Sequence, residues 1–210
     1  MRRTALLVVS HAIVLAFCAL STVASANKLS VSDRGVRIVW SPLTAGAQTR
    51  ELFGAECPVT MEGSFHSNTI SKVVGSLIGF ITRASVATAS CTGGTFRFLL
   101  ETLPWHVQYS YFRGTLPAIS TMGLGFVGAA ISITSPPFFE NCLARSTAER
   151  PMGWEAEREA GGSIRSLLAE SRTILPLSGS IMCTAATFFY TGAGRVTRLG
   201  ATTQVALTLI

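Results

Sequence analysis

The sequence predicts a mainly β fold: a single-domain antiparallel β-barrel or β-sandwich with one charged loop excursion and at most short helices. Three observations carry this. Short segments of alternating apolar and polar residues recur between Gly, Pro, Ser and Thr punctuation, the period-two signature of half-buried strands. The 210 residues are 48% hydrophobic and 13% charged, with a mean hydropathy of +0.44, which excludes a disordered chain. That length suits one domain and is short for two.

The first 26 residues read as a leader rather than as part of the fold. Met1-Arg2-Arg3-Thr4 is a short basic segment, Ala5 to Leu20 an apolar one, and Ala24-Ser25-Ala26 places small residues before Asn27, where cleavage is expected. The apolar run is short for a membrane span of ~20 residues. Phe17 precedes Cys18, so lipid attachment there is not expected, and Arg2-Arg3 alone is too little for twin-arginine export. Losing the leader removes two arginines and no acid, leaving fifteen basic and eleven acidic side chains on 184 residues, a formal charge of +4.

Four cysteines remain: Cys57, Cys91, Cys142 and Cys183. An even count in an exported chain implies disulfides, with three possible pairings. Pairing Cys57 with Cys91 and Cys142 with Cys183 staples one local sheet excursion each, and stabilises by about 3–4 kcal/mol per bridge in the loop-entropy model. Structural zinc uses close C-x-x-C pairs, and none occurs, so no metal is expected.

Strands are expected in sequence at Val36–Trp40, stopped by Ser41-Pro42; at Val59–Phe65; at Leu77–Cys91; at Thr95–Leu103; and at His106–Phe112. Further strands are expected at Thr121–Thr134, Ile164–Leu175, Ile181–Tyr190 and Gly194–Leu199, with Thr203–Ile210 closing the sheet. Ile70, Val73, Val74, Leu77, Ile78 and Ile81 fall at helical spacing, but Gly75, Gly79 and the β-branched content favour a turn or two near Ser71–Gly75 that leads into a strand. Residues 140–172 hold eleven of the 26 charged groups of the mature chain and read as an exposed excursion, with a short helix at Trp154–Glu159 and Trp154 as a possible contact point. Two uncharged stretches, Gly114–Phe139 and Thr173–Gly194, are long enough for membrane helices, but their Pro, Gly, Ser and Thr content favours buried strands. No aromatic girdle supports an outer-membrane-type barrel.

Arginines are spread singly, without basic runs or interleaved aromatics, so no nucleic-acid partner is expected. Gly123-Leu124-Gly125-Phe126-Val127-Gly128 matches G-x-G-x-x-G, but Pro136-Pro137 arrives too soon for the helix that motif needs; no cofactor is expected. His66 and His106 are the histidines beyond the leader. On a strand, Ser64 and His66 share a face, and Glu62 with Glu101 is a candidate carboxylate pair, so a secreted hydrolase is one functional reading. No G-x-S-x-G elbow supports it.

Trp105, Tyr109, Tyr111 and Phe112 form the densest aromatic cluster, with Tyr109 and Tyr111 expected on one strand face. The leading reading makes them the lining of a β cavity that holds a small apolar ligand in an exported, non-catalytic binding or interaction protein. A structural cell-envelope component, assembling through strand edges, is the third. The membrane enters only during export, and the expected location is secreted or extracytoplasmic, with cell-envelope association as a variant.

The stretches CPVTMEGSFHSNTISKVVGSLIGFITRA (57–84), CTGG (91–94) and TLPWHVQYSYFRGTLP (102–117) resemble a group of small exported, uncharacterised β-rich proteins of high-GC Gram-positive bacteria. The likeness covers the middle third of the chain strongly and the rest loosely. It implies export and a β-rich fold, and no activity, cofactor or catalytic residue.

Overall fold

The computed structural model describes residues 28–115, 118–170 and 175–209; the expected leader lies outside them. Eight strands run antiparallel, each to the next, in chain order: β2 (Gly35–Gln48), β3 (Leu52–Phe65), β5 (Leu77–Val86), β7 (Trp105–Thr115), β8 (Ala118–Val127), β11 (Met152–Arg158), β12 (Ile164–Glu170) and β14 (Thr187–Arg198). β14 pairs with β2 on one edge and with β12 on the other, from Leu167↔Gly194 to Glu170↔Thr191. The sheet therefore closes on itself as an up-and-down barrel, the barrel alternative of the expected fold class.

Alternation sets the two faces. Val36, Ile38 and Trp40 of β2 and Trp154 and Ala156 of β11 are buried, while Arg37, Val39, Glu155 and Glu157 between them point outward. The outer face also carries exposed Arg83, Arg165 and Arg195. An apolar inside and a charged outside is the reverse of the transmembrane-barrel pattern. The centre is aromatic: Trp154 lies 5.0 Å from Trp40, 5.1 Å from Phe126 and 5.3 Å from Tyr190 by ring centroids. The polar tips of two of these rings are satisfied across the interior, Trp40 Nε1 donating to the Leu167 carbonyl at 3.2 Å and Tyr190 Oη to the Gly153 carbonyl at 2.9 Å.

β2 does not stop at Ser41-Pro42. A bulge between Trp40 and Leu43, with a cis Ser41–Pro42 peptide, bends it and lets it run on to Gln48. Proline lacks the N–H that a bulge leaves unused, so it is tolerated there. β14 carries a matching bulge between Thr191 and Gly194. At φ 149° Gly192 backs onto the Pro42 carbonyl, which a β-carbon would approach to 3.0 Å. Beyond these bends β2, β3 and β14 leave the barrel and join a lobe built from β13 (Leu175–Ser178), β10 (Phe139–Arg145), β9 (Ala130–Ser135) and β6 (Thr95–Phe98), in that order. The other barrel end is covered by a small sheet of β15 (Leu207–Leu209), β1 (Lys28–Val31) and β4 (Thr69–Ser71).

Both disulfides pair as expected, Cys57–Cys91 and Cys142–Cys183. They point to an oxidising, extracytoplasmic compartment. No helix of the described residues is long and apolar enough to cross a membrane.

Several local expectations are corrected. Of the expected excursion at 140–172, the described residues 140–170 form none: they supply the rest of β10 and the barrel strands β11 and β12, and Trp154 is core rather than helix or contact loop. Their charges alternate with apolar residues, which a charge count over the window conceals. The stripe at 70–81 does turn near Gly75 (φ 83°) and lead into β5, as expected, with the short β4 ahead of the turn. Leu77–Cys91 ends as a strand at Val86, before a 3-10 turn at Thr88–Ser90, and Thr95–Leu103 ends at Phe98, before a 3-10 turn at Leu100–Thr102. Thr121–Thr134 splits around Gly128 (φ 86°), and Ile181–Thr184 is a helical turn preceding β14.

Candidate functional site

The barrel interior is filled by its own side chains. Val36, Ile38, Ile81, Val107, Met122, Leu124, Phe126 and their neighbours surround a cavity of about 40 Å³. That admits one or two water-sized molecules, against the roughly 300 Å³ or more of typical small-molecule pockets. Trp105 and Tyr109 sit on the inner face, fully buried. Trp105 packs 5.2 Å from Phe98 of the lobe, and its Nε1 donates to Thr102 Oγ1 at 2.8 Å. Burial pushes the Tyr109 phenol above its ordinary pKa.

Tyr111 does not share the face of Tyr109. A bulge at Ser110 shifts the register, so Tyr109 faces Leu124, Phe112 faces Met122 and Tyr111 faces Gly123. Leu124 and Met122 line the interior; Gly123 is on the outer face between them. Tyr109 and Phe112 therefore turn inward, and Tyr111 lies outside over Gly123 with its hydroxyl donating to Glu155. Phe112 is half-buried under Lys72 Nζ, 5.5 Å from the ring centroid. The G-x-G-x-x-G glycines run along β8 into β9, with the Tyr111 ring on Gly123 and Pro151 on Gly125, and no helix follows them.

Ser64 and His66 do not form a hydrogen-bonded pair among the described residues. His66 and His106 both pack against Phe80, at 4.5 and 4.9 Å between ring centroids. Among the described residues no hydrogen bond joins either imidazole to Ser64 or to a carboxylate, and His106 Nδ1 is buried without a partner. Glu62 is engaged by arginines from both sides: Arg37 Nε at 3.7 Å and Arg83 Nη1 at 3.4 Å. Glu101 stands exposed in the Leu100–Thr102 turn. No group of three or more His, Cys, Asp or Glu among the described residues is placed to hold a metal.

What the structure does build is a groove of about 450 Å³ on the outer face, lined by Arg37, Thr60, Glu62, Thr82, Arg83, Ala84, Ser85, Leu100 and Leu103. Its floor is a cross-strand row, Arg37↔Glu62 between β2 and β3 and Glu62↔Arg83 between β3 and β5. Its wall is the β5–β7 connection, folded back over the barrel. That connection is tied to β3 by Cys57–Cys91 and by reciprocal bonds of 3.0 Å between the backbones of Glu56 and Thr92. Of its residues, sequence reading singled out Glu62 alone, as one of a carboxylate pair with Glu101, and not the arginines that flank it. Arg37, Glu62 and Arg83 each sit at outward strand phase, but 21 to 25 residues separate neighbours along the chain, and only the pairing register unites them. Comparison with protein-family models, with curated proteins and with solved structures finds no match for the chain.

Proposed function

We propose that this chain is an exported binding protein that works through its outer face, with the groove over β2, β3 and β5 as its site. One observation carries the reading: the barrel keeps about 40 Å³ free inside, whereas a groove of about 450 Å³ with a mixed polar and apolar lining lies outside beside a disulfide-tied wall. Function then depends on a rigid scaffold presenting side chains, the usual division between a packed core and a binding surface. Export is supported by the two disulfides together with the leader-like N-terminus. Kinship with the small exported proteins of high-GC Gram-positive bacteria belongs to the same proposal.

The test is amide chemical-shift mapping of the oxidised chain against a panel of small polar and amphipathic solutes. Shifts clustered at Arg37, Thr60, Arg83 and Leu103 support the groove. Shifts confined to interior residues such as Val107 and Met122 would replace it with the second reading, uptake of an apolar ligand into the barrel past Trp105, Tyr109 and Phe112. The apolar lining of the small internal cavity favours that alternative. Assembly as an envelope component through strand edges has little to use among the described residues. The barrel is closed, and β4, β6 and β15 are edges of only three or four residues.

A further inference from the structure

We infer that the groove takes an anionic, hydroxylated ligand, a carboxylated sugar unit, seated over Glu62 between Arg37 and Arg83. This rests on reading the groove as the binding site. Neighbouring strands are ~4.8 Å apart, so the two arginines rise from positions about two strand spacings apart and lean toward the carboxylate between them. Glu62 uses one nitrogen of each guanidinium, Nε of Arg37 and Nη1 of Arg83. A guanidinium carries five N–H donors in a planar fork, so both arginines keep donors for a second carboxylate. They are also solvent-accessible, at 48% and 81% side-chain exposure, while Glu62 is at 17%. Glu62 is the one carboxylate of the lining, which leaves the groove with a net positive charge.

The rest of the lining selects among anions. Thr60, Thr82 and Ser85 bring hydroxyls to the floor. Two of these make long internal bonds, Thr82 Oγ1 to the Glu62 carbonyl at 3.4 Å and Ser85 Oγ to the Thr60 carbonyl at 3.5 Å, so they remain able to turn to a ligand. Leu103 and the exposed Leu100 supply an apolar wall at 57% exposure for Leu100. Carboxylate, hydroxyls and a C–H face together describe a sugar acid. Inorganic phosphate offers only the charge, and a neutral hexose only the hydroxyls and the C–H face.

The experiment titrates the oxidised chain and its R37Q, R83Q and E62Q variants with glucuronate, glucose and inorganic phosphate, by chemical-shift mapping at low and physiological salt. All three substitutions fall on exposed or ion-paired surface, and circular dichroism checks that each variant folds. Expected are groove shifts with glucuronate, about tenfold weaker binding in R37Q and R83Q, and binding about two- to fivefold tighter in E62Q, which removes the resident competitor. Weakening by salt is expected as well. Equal binding of glucose and glucuronate at the groove overturns the anionic assignment and leaves the groove standing. Equal binding of phosphate and glucuronate overturns the sugar assignment. Tighter binding in R37Q, or weaker in E62Q, overturns the geometry. No groove shift with any of the three probes, at concentrations that saturate weak sugar sites, overturns the inference, while the groove reading itself falls only if the wider solute panel also leaves Arg37, Thr60, Arg83 and Leu103 unmoved.

Discussion

Tyr111 offers the sharpest test of the barrel's outer face. Its ring covers Gly123, where a β-carbon would come within 2.3–2.6 Å of three ring atoms, and its hydroxyl donates to Glu155, a carboxylate whose residue is only 7% exposed. Arg113 Nη2 reaches the same carboxylate oxygen at 3.5 Å, but that side chain is 52% exposed. Replacing Tyr111 by Phe removes a hydrogen bond to a buried charge, a loss of about 1.5–3 kcal/mol. The half-exposed arginine is a weaker partner of that carboxylate, since such pairs contribute at most about 1 kcal/mol. For a chain of this size the melting temperature should fall by about 3–12 °C. Gly123→Ala should cost at least as much, because the ring must leave its seat and takes the hydroxyl with it. In the Tyr111→Phe background the same alanine should cost less, by about the value of the hydrogen bond already lost. Urea unfolding monitored by fluorescence is a suitable assay, since Trp40, Trp105 and Trp154 are all fully buried. A Tyr111→Phe change below about 0.5 kcal/mol, within the noise of ordinary surface substitutions, would refute the argument.

Three further outcomes are expected. The raised pKa of Tyr109 means its contribution is fully present below the unfolded phenol's value near 10 and is lost as pH rises through the higher folded value. Unfolding free energy should therefore drop on the alkaline side, and Tyr109→Phe should flatten that part of the pH profile; an unchanged slope would argue against burial of an ionisable phenol there. Cys57–Cys91 and Cys142–Cys183 close loops of similar separation, 34 and 41 residues, so paired serine replacements should cost about 4 kcal/mol each. The local effects should differ: hydrogen exchange should quicken around Thr92 in the first and around Ile181–Thr184 in the second, and uniform quickening in both would contradict the tethering described above. At Gly46, opposite Gly54, a β-carbon would lie 2.0 Å from the Phe53 carbonyl oxygen, a backbone atom that cannot step aside. Gly46→Ala should destabilise by about 2 kcal/mol or more in the same denaturation assay, whereas Gly161→Ala, in open space at φ 99°, should show only the smaller backbone penalty.

What the sequence discloses is the part of the fold governed by neighbours. Alternation at Val36–Trp40 and Val59–Phe65 identifies strands because burial repeats every two residues, and glycines within 70–81 rightly discourage a helix. The cysteines pair with their neighbours in sequence, as expected, although the second pair brackets barrel strands β11 and β12 rather than an excursion. What it conceals depends on partners distant along the chain. Ser41-Pro42 looks like a stop because proline lacks a ladder donor, and nothing local reveals that β14 bulges at the same level. Glu155 and Glu157 look like solvated charge, although Trp154 and Ala156 keep the strand period between them. The bulge at Ser110 turns Tyr111 outward and Phe112 inward, and a single displaced residue of this kind leaves no mark in composition. Arg37, Glu62 and Arg83 become a site only through two strand registers.

The lobe acquires a purpose once the groove wall is considered. Leu100 and Leu103 belong to the β5–β7 connection, and a connection of that length laid over a barrel needs anchoring if it is to present a fixed surface. Its ties include Cys57–Cys91 and the Glu56–Thr92 backbone bonds near its start, Trp105 Nε1 on Thr102 at its end, and β6 in its middle. β6 in turn is held by β9 through Thr95↔Thr134 to Phe98↔Ile131, β9 by β10, and β10 by β13, which pairs with β14 of the barrel itself. Leu99 N–H adds a bond to the Ala130 carbonyl at 2.9 Å, one residue before the wall. The lobe's sheet thus forms a continuous brace from a barrel strand around to the groove. Cys142–Cys183 stiffens that brace from the far side, between β10 and the turn that leads into β14. Both disulfides thus bear on the β5–β7 connection, Cys57–Cys91 directly and Cys142–Cys183 through the sheet of the lobe.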